Sequence, residues 1–332
     1  MFGRSASHPL APHAIGLAPR VSAQGGWQTR EESIMGTAIS VELWCDDRAA
    51  GSEAIDAVMQ EMHRIDQAMS PYKPESELSR INRDAASRDV AISKEMCHLL
   101  QRAEQYSRLS EGAFDISYAA VGRLYDYRQG IRPTASELAV ALEAVNYRHV
   151  QVDTRSGTVR FAHPGTWIDL GGFAKGHAVD NATKLLRARG IQHANVTAGG
   201  DSRVIGDRRG RPWSIGVRDP ARPGEVIAVL PLEDTSISTS GDYERYFVEN
   251  GTRFHHLIDP CTGQSPSTLR SVTVLGEDGL TTEVFSKCIF ILGLERGMRL
   301  LAKQAGLDAI AIDATGALHY SSGLTHPQAQ CA

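Results

Sequence analysis

From about residue 145 onward the chain is written in short β-rich runs, at 158–161, 167–170, 194–197, 213–217, 226–230, 236–240 and 271–275. Only two helical stretches interrupt them, one following Gly176 with Val179, Ala182, Leu185 and Leu186 on one side, the other beginning near Thr282. Strands mixed with helices but lacking a regular strand-helix alternation exclude a doubly wound parallel sheet and predict an α+β fold. The first half adds a strand over 34–44 and a helix over about 52–69, where Ile55, Val58, Met59, Met62, Ile65 and Met69 recur at three- and four-residue spacing. A helix is expected after Ser93, with Met96, Leu99, Leu100 and Ala103 inward, and another after Thr134, which has capping-box spacing to Glu137.

Residues 1–27 carry no such periodicity and read as a tail, leaving 28–325 as one domain. Apolar content of 42% and charged content of 22% over 332 residues are those of a globular chain with a sizeable core. A net charge of -4 without a basic run gives no footprint for nucleic acid. No stretch approaches the roughly 20 apolar residues of a membrane span, so no integral membrane segment is expected. The five cysteines (Cys45, Cys97, Cys261, Cys288, Cys331) form no CxxC pair, which argues against a zinc site and a disulfide framework. No secretory signal peptide is visible, although Val21-Ser22-Ala23 resembles the small-residue end of one.

Chemistry concentrates in a few loops. Residues 169–180, Asp-Leu-Gly-Gly-Phe-Ala-Lys-Gly-His-Ala-Val-Asp, join an expected strand to an expected helix through three glycines and Lys175. Such a junction can hold phosphate, since glycines let backbone N–H groups approach an anion and a helix N-terminus adds a favourable dipole. Gly171 and Gly176 have Walker A spacing, but His177 stands where that motif needs Lys and no GxGxxG is present, so a tight structural turn carries equal weight on these residues alone. Gly199-Gly200-Asp201 presents a carboxylate on a second permissive turn, and 238–243 is a polar run that contains Ser240, Gly241 and Asp242 and ends in Tyr243. His255 and His256 are adjacent, so on a strand only one of them can face a given site.

Taken together these pieces resemble the FAD:protein FMN transferases, or ApbE flavin transferases. The matching segments are Met35-Gly36-Thr37, 69–82, Gly112-Ala113-Phe114-Asp115, 169–180, Gly199-Gly200-Asp201, 213–220, 239–247, 256–263 and 290–293, all in collinear order. The resemblance implies a two-lobed α+β fold with mixed or antiparallel sheets flanked by helices. It implies an enzyme that moves the FMN half of FAD onto a Thr or Ser hydroxyl of a client protein and releases AMP, with magnesium at the pyrophosphate. Hydrolysis of FAD to FMN and AMP, or FAD binding without catalysis, are the alternatives on the same site.

Residue by residue, the resemblance makes His256 the catalytic histidine and gives Ala174, Glu283 and Lys287 the metal-ligand positions. Met35, Ser70, Tyr72, Glu77, Asp115, Lys175, Asp180, Gly199, Gly200, Asp201, Ser240, Gly241 and Asp242 become flavin-site groups. At position 287 the chain departs from the family, because an ammonium has three donors and no acceptor and cannot ligate a metal. The expectation is that this ammonium lies near the metal position and contributes one positive charge there. The resemblance also favours a periplasmic location, with the cytoplasm as the alternative.

Overall fold

The computed structural model describes residues 25–325. Most of the 1–27 tail, Val21-Ser22-Ala23 and Cys331 lie outside them. Its centre is an eight-stranded sheet whose spatial order is also its chain order: Gly26–Ile34, Thr37–Cys45, Ala194–Ala198, Asp201–Ile205, Ser236–Gly241, Leu269–Gly276, Asp308–Asp313 and Leu318–Tyr320. Every neighbouring pair is antiparallel. The α+β class expected from the sequence is the one observed. Three smaller antiparallel sheets surround this one, including the hairpins Trp213–Arg218 with Val226–Leu232 and Tyr246–Glu249 with Thr252–His255.

The strand expected over 34–44 is Thr37–Cys45, and another strand, Gly26–Ile34, precedes it. Met35 and Gly36 both have positive φ, 55° and 70°, so the chain reverses there in the backbone geometry of a two-residue hairpin turn. Trp27, placed in the tail above, therefore pairs with Trp44. In Thr37–Cys45, Ile39, Val41 and Leu43 alternate inward, and in Ala194–Ala198 every second residue is buried. That face is covered by three long helices, Arg48–Met69, Ala174–Ala188 and Gly279–Leu301, packed side by side in the order of the strands beneath them.

On the opposite face Trp213 and Leu232 from one outer hairpin pack on Val204, Ile237 and Leu275. The middle strands are thus buried on both sides, which is why Leu269–Gly276 lacks polar alternation. The run at 167–170 is not a strand. Its backbone is paired by a side chain: Asn82 accepts from the Ile168 N–H and donates to the Ile168 carbonyl, both at 2.8 Å, while Asp169 N–H donates to the Ile116 carbonyl. The segment is extended and apolar, but its hydrogen bonds go to a helix side chain and to the first residue of a short 3-10 helix, Ile116–Tyr118.

Two helices touch backbone to backbone. A Cβ on Gly176 would lie 2.2 Å from the Gly279 carbonyl oxygen, and one on Gly279 would lie 2.8 Å from the Gly176 oxygen. This contact brings the N-terminal turns of Ala174–Ala188 and Gly279–Leu301 together. Gly176→Ala is expected to cost about 1–3 kcal/mol or more in urea unfolding, because rigid backbone must move apart. An unchanged unfolding midpoint would show that the helices can separate freely.

Candidate active site

The contact between the two glycines places Glu283, one turn into the second helix, directly on the N-terminus of the first. Glu283 is fully buried, and its Oε2 accepts the Gly176 N–H at 2.7 Å. The other oxygen, Oε1, receives the Lys175 ammonium at 2.5 Å and the Lys287 ammonium at 3.1 Å. Lys175 also reaches Asp201 Oδ2 at 2.7 Å. Two ammoniums and two carboxylates therefore form one buried cluster at the end of the sheet.

Each member arrives by a different piece of local structure. Asp201 opens a strand straight after a tight turn in which Gly199 has φ +63° and sits against Thr37, while Gly200 lies against the Thr239 carbonyl. Lys175 follows the turn in which Asp169 accepts the Gly171 N–H. Lys287 lies one helical turn after Glu283, and its stem passes beneath Gly172, whose Cβ would stand 3.7 Å from Lys287 Cδ. Ala174 is the first residue of its helix, and its N–H is bonded to the Leu170 carbonyl.

The charges tune one another. Burial pushes the Glu283 carboxyl up, but Lys175, Lys287 and the Gly176 N–H together hold it below its ordinary value. Burial raises Asp201, and the neighbouring Glu283 charge adds to that rise. Burial works against the charge on Lys175, yet Asp201 and Glu283 keep it protonated well above the usual lysine range.

His256 completes the arrangement. Burial, then the charges of Lys287 and Arg245, lower its pKa to about 3, so the imidazole is neutral at pH 7. Its Nδ1 is enclosed without a hydrogen-bond partner, while its backbone N–H donates to the Arg245 carbonyl. Arg245 also approaches Gly36 of the first hairpin, and its charge is felt by Asp169 and Tyr118. Lys175, Lys287, Arg245 and a neutral imidazole thus converge on the glycine-rich turn. These donors and a proton acceptor, with the two ammoniums balanced by Asp201 and Glu283, form a mouth suited to a phosphate-bearing substrate.

The remaining expected site residues divide. Tyr72 is almost wholly exposed, next to Ser70, whose Oγ accepts the Tyr72 N–H. Met35 occupies the hairpin turn. Ser240 bonds across to Ser286 at 2.7 Å, which ties the polar strand to the Glu283 helix, and Gly241 packs on the Tyr243 ring.

Four carboxylates are already engaged within the protein. Asp115 accepts from Ser117 and from the Tyr147 N–H. Glu77 accepts from the Ser93 N–H and hydroxyl. Asp242 is pinned between Arg253 and Arg270. Asp180 accepts the Gly279 and Leu280 N–H groups and pairs with Arg203, so it caps the helix that carries Glu283.

Sequence reasoning missed Arg245 as a site group, because nothing in its local spacing marks it and only the fold brings its loop to the others. Tyr118 and Tyr127, within the 112–127 segment that the resemblance assigns to the flavin and adenine pockets, neighbour Tyr72. His255 is buried, with Nε2 bonded to the Pro266 carbonyl at 2.8 Å and its ring edge-on to Phe290. It is a packing residue. His255→Ala is expected to lower the melting temperature, and an unaltered melting curve would show that the ring carries no packing role.

The residues do not fit a magnesium site of the kind the resemblance implies. Both Glu283 oxygens already accept N–H donors, Lys287 offers no lone pair, and no group of three or more His, Cys, Asp or Glu able to hold a metal occurs among the described residues.

The ApbE family profile matches residues 35–311. The chain is 30% identical over 285 residues to the FAD:protein FMN transferase of Klebsiella pneumoniae, covering 84% of this chain and 87% of that one. It is 33% identical to that of Haemophilus influenzae, covering 76% and 75%. The crystal structure of the ApbE protein from Thermotoga maritima superposes with a TM-score of 0.84 at 30% identity, covering 90% of this chain and 98% of that one. The flavin transferase ApbE of Vibrio cholerae gives 0.77 at 27% identity, covering 90% and 99%. With the family profile spanning most of the chain and its relatives matched over most of their own length, the chain belongs to the ApbE family of flavin transferases.

Proposed function

We propose that this chain transfers FMN from FAD to a Ser or Thr hydroxyl of a client protein. The observation that carries the reading is the convergence of Lys175, Lys287, Arg245 and the neutral His256 on the glycine-rich turn. The client oxygen attacks the FMN-side phosphorus and the bond from that phosphorus to the bridging oxygen of AMP breaks. His256 takes the hydroxyl proton, and AMP leaves with the bridging oxygen. The cationic groups offset the pyrophosphate charge that would otherwise repel the nucleophile. Because His256 starts neutral, it can accept that proton, and the anionic substrate raises its basicity by opposing the nearby positive charges.

The family name of its relatives supports flavin transfer from FAD; the acceptor hydroxyl is this reading's own extension. The test is incubation with FAD and the proteins of the source cell, followed by in-gel flavin fluorescence under denaturing conditions. A covalently fluorescent acceptor, with AMP released in equal amount, is the expected result. AMP and FMN released without any labelled acceptor would replace the reading with FAD hydrolysis, and FAD bound but unchanged would replace it with a binding role. An export step is proposed on the same family grounds, and recovery of the full-length gene product solely from the cytosol would exclude it.

A further inference from the structure

With Asp201 and Glu283 ionised, two carboxylates face the two ammoniums of Lys175 and Lys287, and the cluster is neutral without any ion. Glu283 spends Oε1 on both ammoniums and Oε2 on the Gly176 N–H. A magnesium ion demands about six oxygens near 2.0–2.1 Å. To gain even one from Glu283 it would have to displace an ammonium, and it would add two positive charges beside two already present. Lys287 is poised differently: its side chain is 19% exposed and its stem lies along the glycine-rich turn. Of its three N–H donors, one goes to Glu283 Oε1 and a second makes a long 3.4 Å contact to the Glu283 carbonyl. The third remains to meet an incoming phosphate.

We infer that the Lys287 ammonium replaces a divalent cation in this chain, so that the pyrophosphate of FAD is bound by Lys175 and Lys287 and needs no metal. This rests on FAD being the substrate. Removing the charge at 287 leaves the cluster at one net negative charge, which repels pyrophosphate and attracts a cation. The substitution therefore reverses the metal dependence.

The experiment measures FAD affinity by flavin fluorescence quenching, in EDTA and in millimolar magnesium, for wild type, Lys287→Thr and Lys287→Met. Bound Mn²⁺ is followed in parallel by electron paramagnetic resonance. Wild type is expected to bind FAD equally in both buffers and to hold no stoichiometric Mn²⁺. Both variants are expected to lose about 30-fold or more in EDTA. Magnesium should restore Lys287→Thr, whose hydroxyl can ligate, further than Lys287→Met. Wild-type FAD binding that appears only with magnesium, stoichiometric Mn²⁺ in the wild-type complex, or variants that bind as tightly as wild type in EDTA would each overturn the replacement. Wild type that binds FAD in neither buffer overturns the FAD reading and this inference with it, an outcome distinct from magnesium-dependent binding. The wild-type arms decide the matter even if a variant fails to fold.

Discussion

Glu283→Ala is expected to lower unfolding stability by about 3–5 kcal/mol, the scale found when one partner of a buried ion pair is removed. The Glu283 side chain is fully buried, and those of Lys175 and Lys287 are largely so. The substitution leaves two ammoniums with Asp201 as the one carboxylate of the cluster and the Gly176 N–H without an acceptor at a helix N-terminus. Glu283→Gln should recover part of the loss, since an amide oxygen can still accept one N–H donor while the charge stays uncompensated. Urea unfolding of the three proteins measures it. A variant that unfolds like wild type but has lost FAD binding would mean that Glu283 serves the ligand and not the joint between the helices.

His256→Ala should slow flavin transfer by about 10²–10⁴-fold, the range for loss of a positioned general base. FAD affinity should change little, because proton acceptance is a transition-state interaction. Single-turnover transfer together with FAD titration separates the two quantities, and wild-type transfer by the variant would remove His256 from the chemistry.

Stability against pH gives an independent readout. The pKa of His256 is lowered from 6.5 to about 3 in the folded protein, so between these values the unfolded chain binds a proton that the folded chain does not. Stability contributed by the neutral ring is therefore complete above about pH 6.5 and is lost as pH falls toward 3. His256→Ala should flatten that part of the melting-temperature profile. His255 is also lowered by burial and remains in both proteins, so the difference between the profiles isolates position 256.

Much of this molecule was legible in the chain. Three- and four-residue periodicity located the Arg48–Met69 helix to within a few residues, because its buried positions are the apolar ones. Ser93 and Thr134 marked helix starts because hydroxyl caps act within one turn, and the Thr134–Glu137 capping box is present. The collinear motifs pointed to the flavin transferases, and the family comparison agrees. Elements whose signal is not local were missed. The short strand Asp308–Asp313 is an alanine-containing run whose identity depends on the neighbour it pairs with. The run at 167–170 looked like a strand because extended apolar backbone reads alike whether another strand or the Asn82 side chain satisfies it.

The sequence by itself determined the α+β class, the family, and the fact that position 287 carries a charge unable to ligate metal. Only the tertiary structure decided what that charge does. Lys175, Asp201, Glu283 and Lys287 come from three separated segments, and the Gly176–Gly279 backbone contact closes them into one neutral cluster. It also assigned Gly176 to helix packing, with its N–H turned to a carboxylate and not left for a phosphate. Spacing along a chain reports which residues share an element, whereas the balance of buried charge depends on which elements meet, and that is set by packing between segments a hundred residues apart.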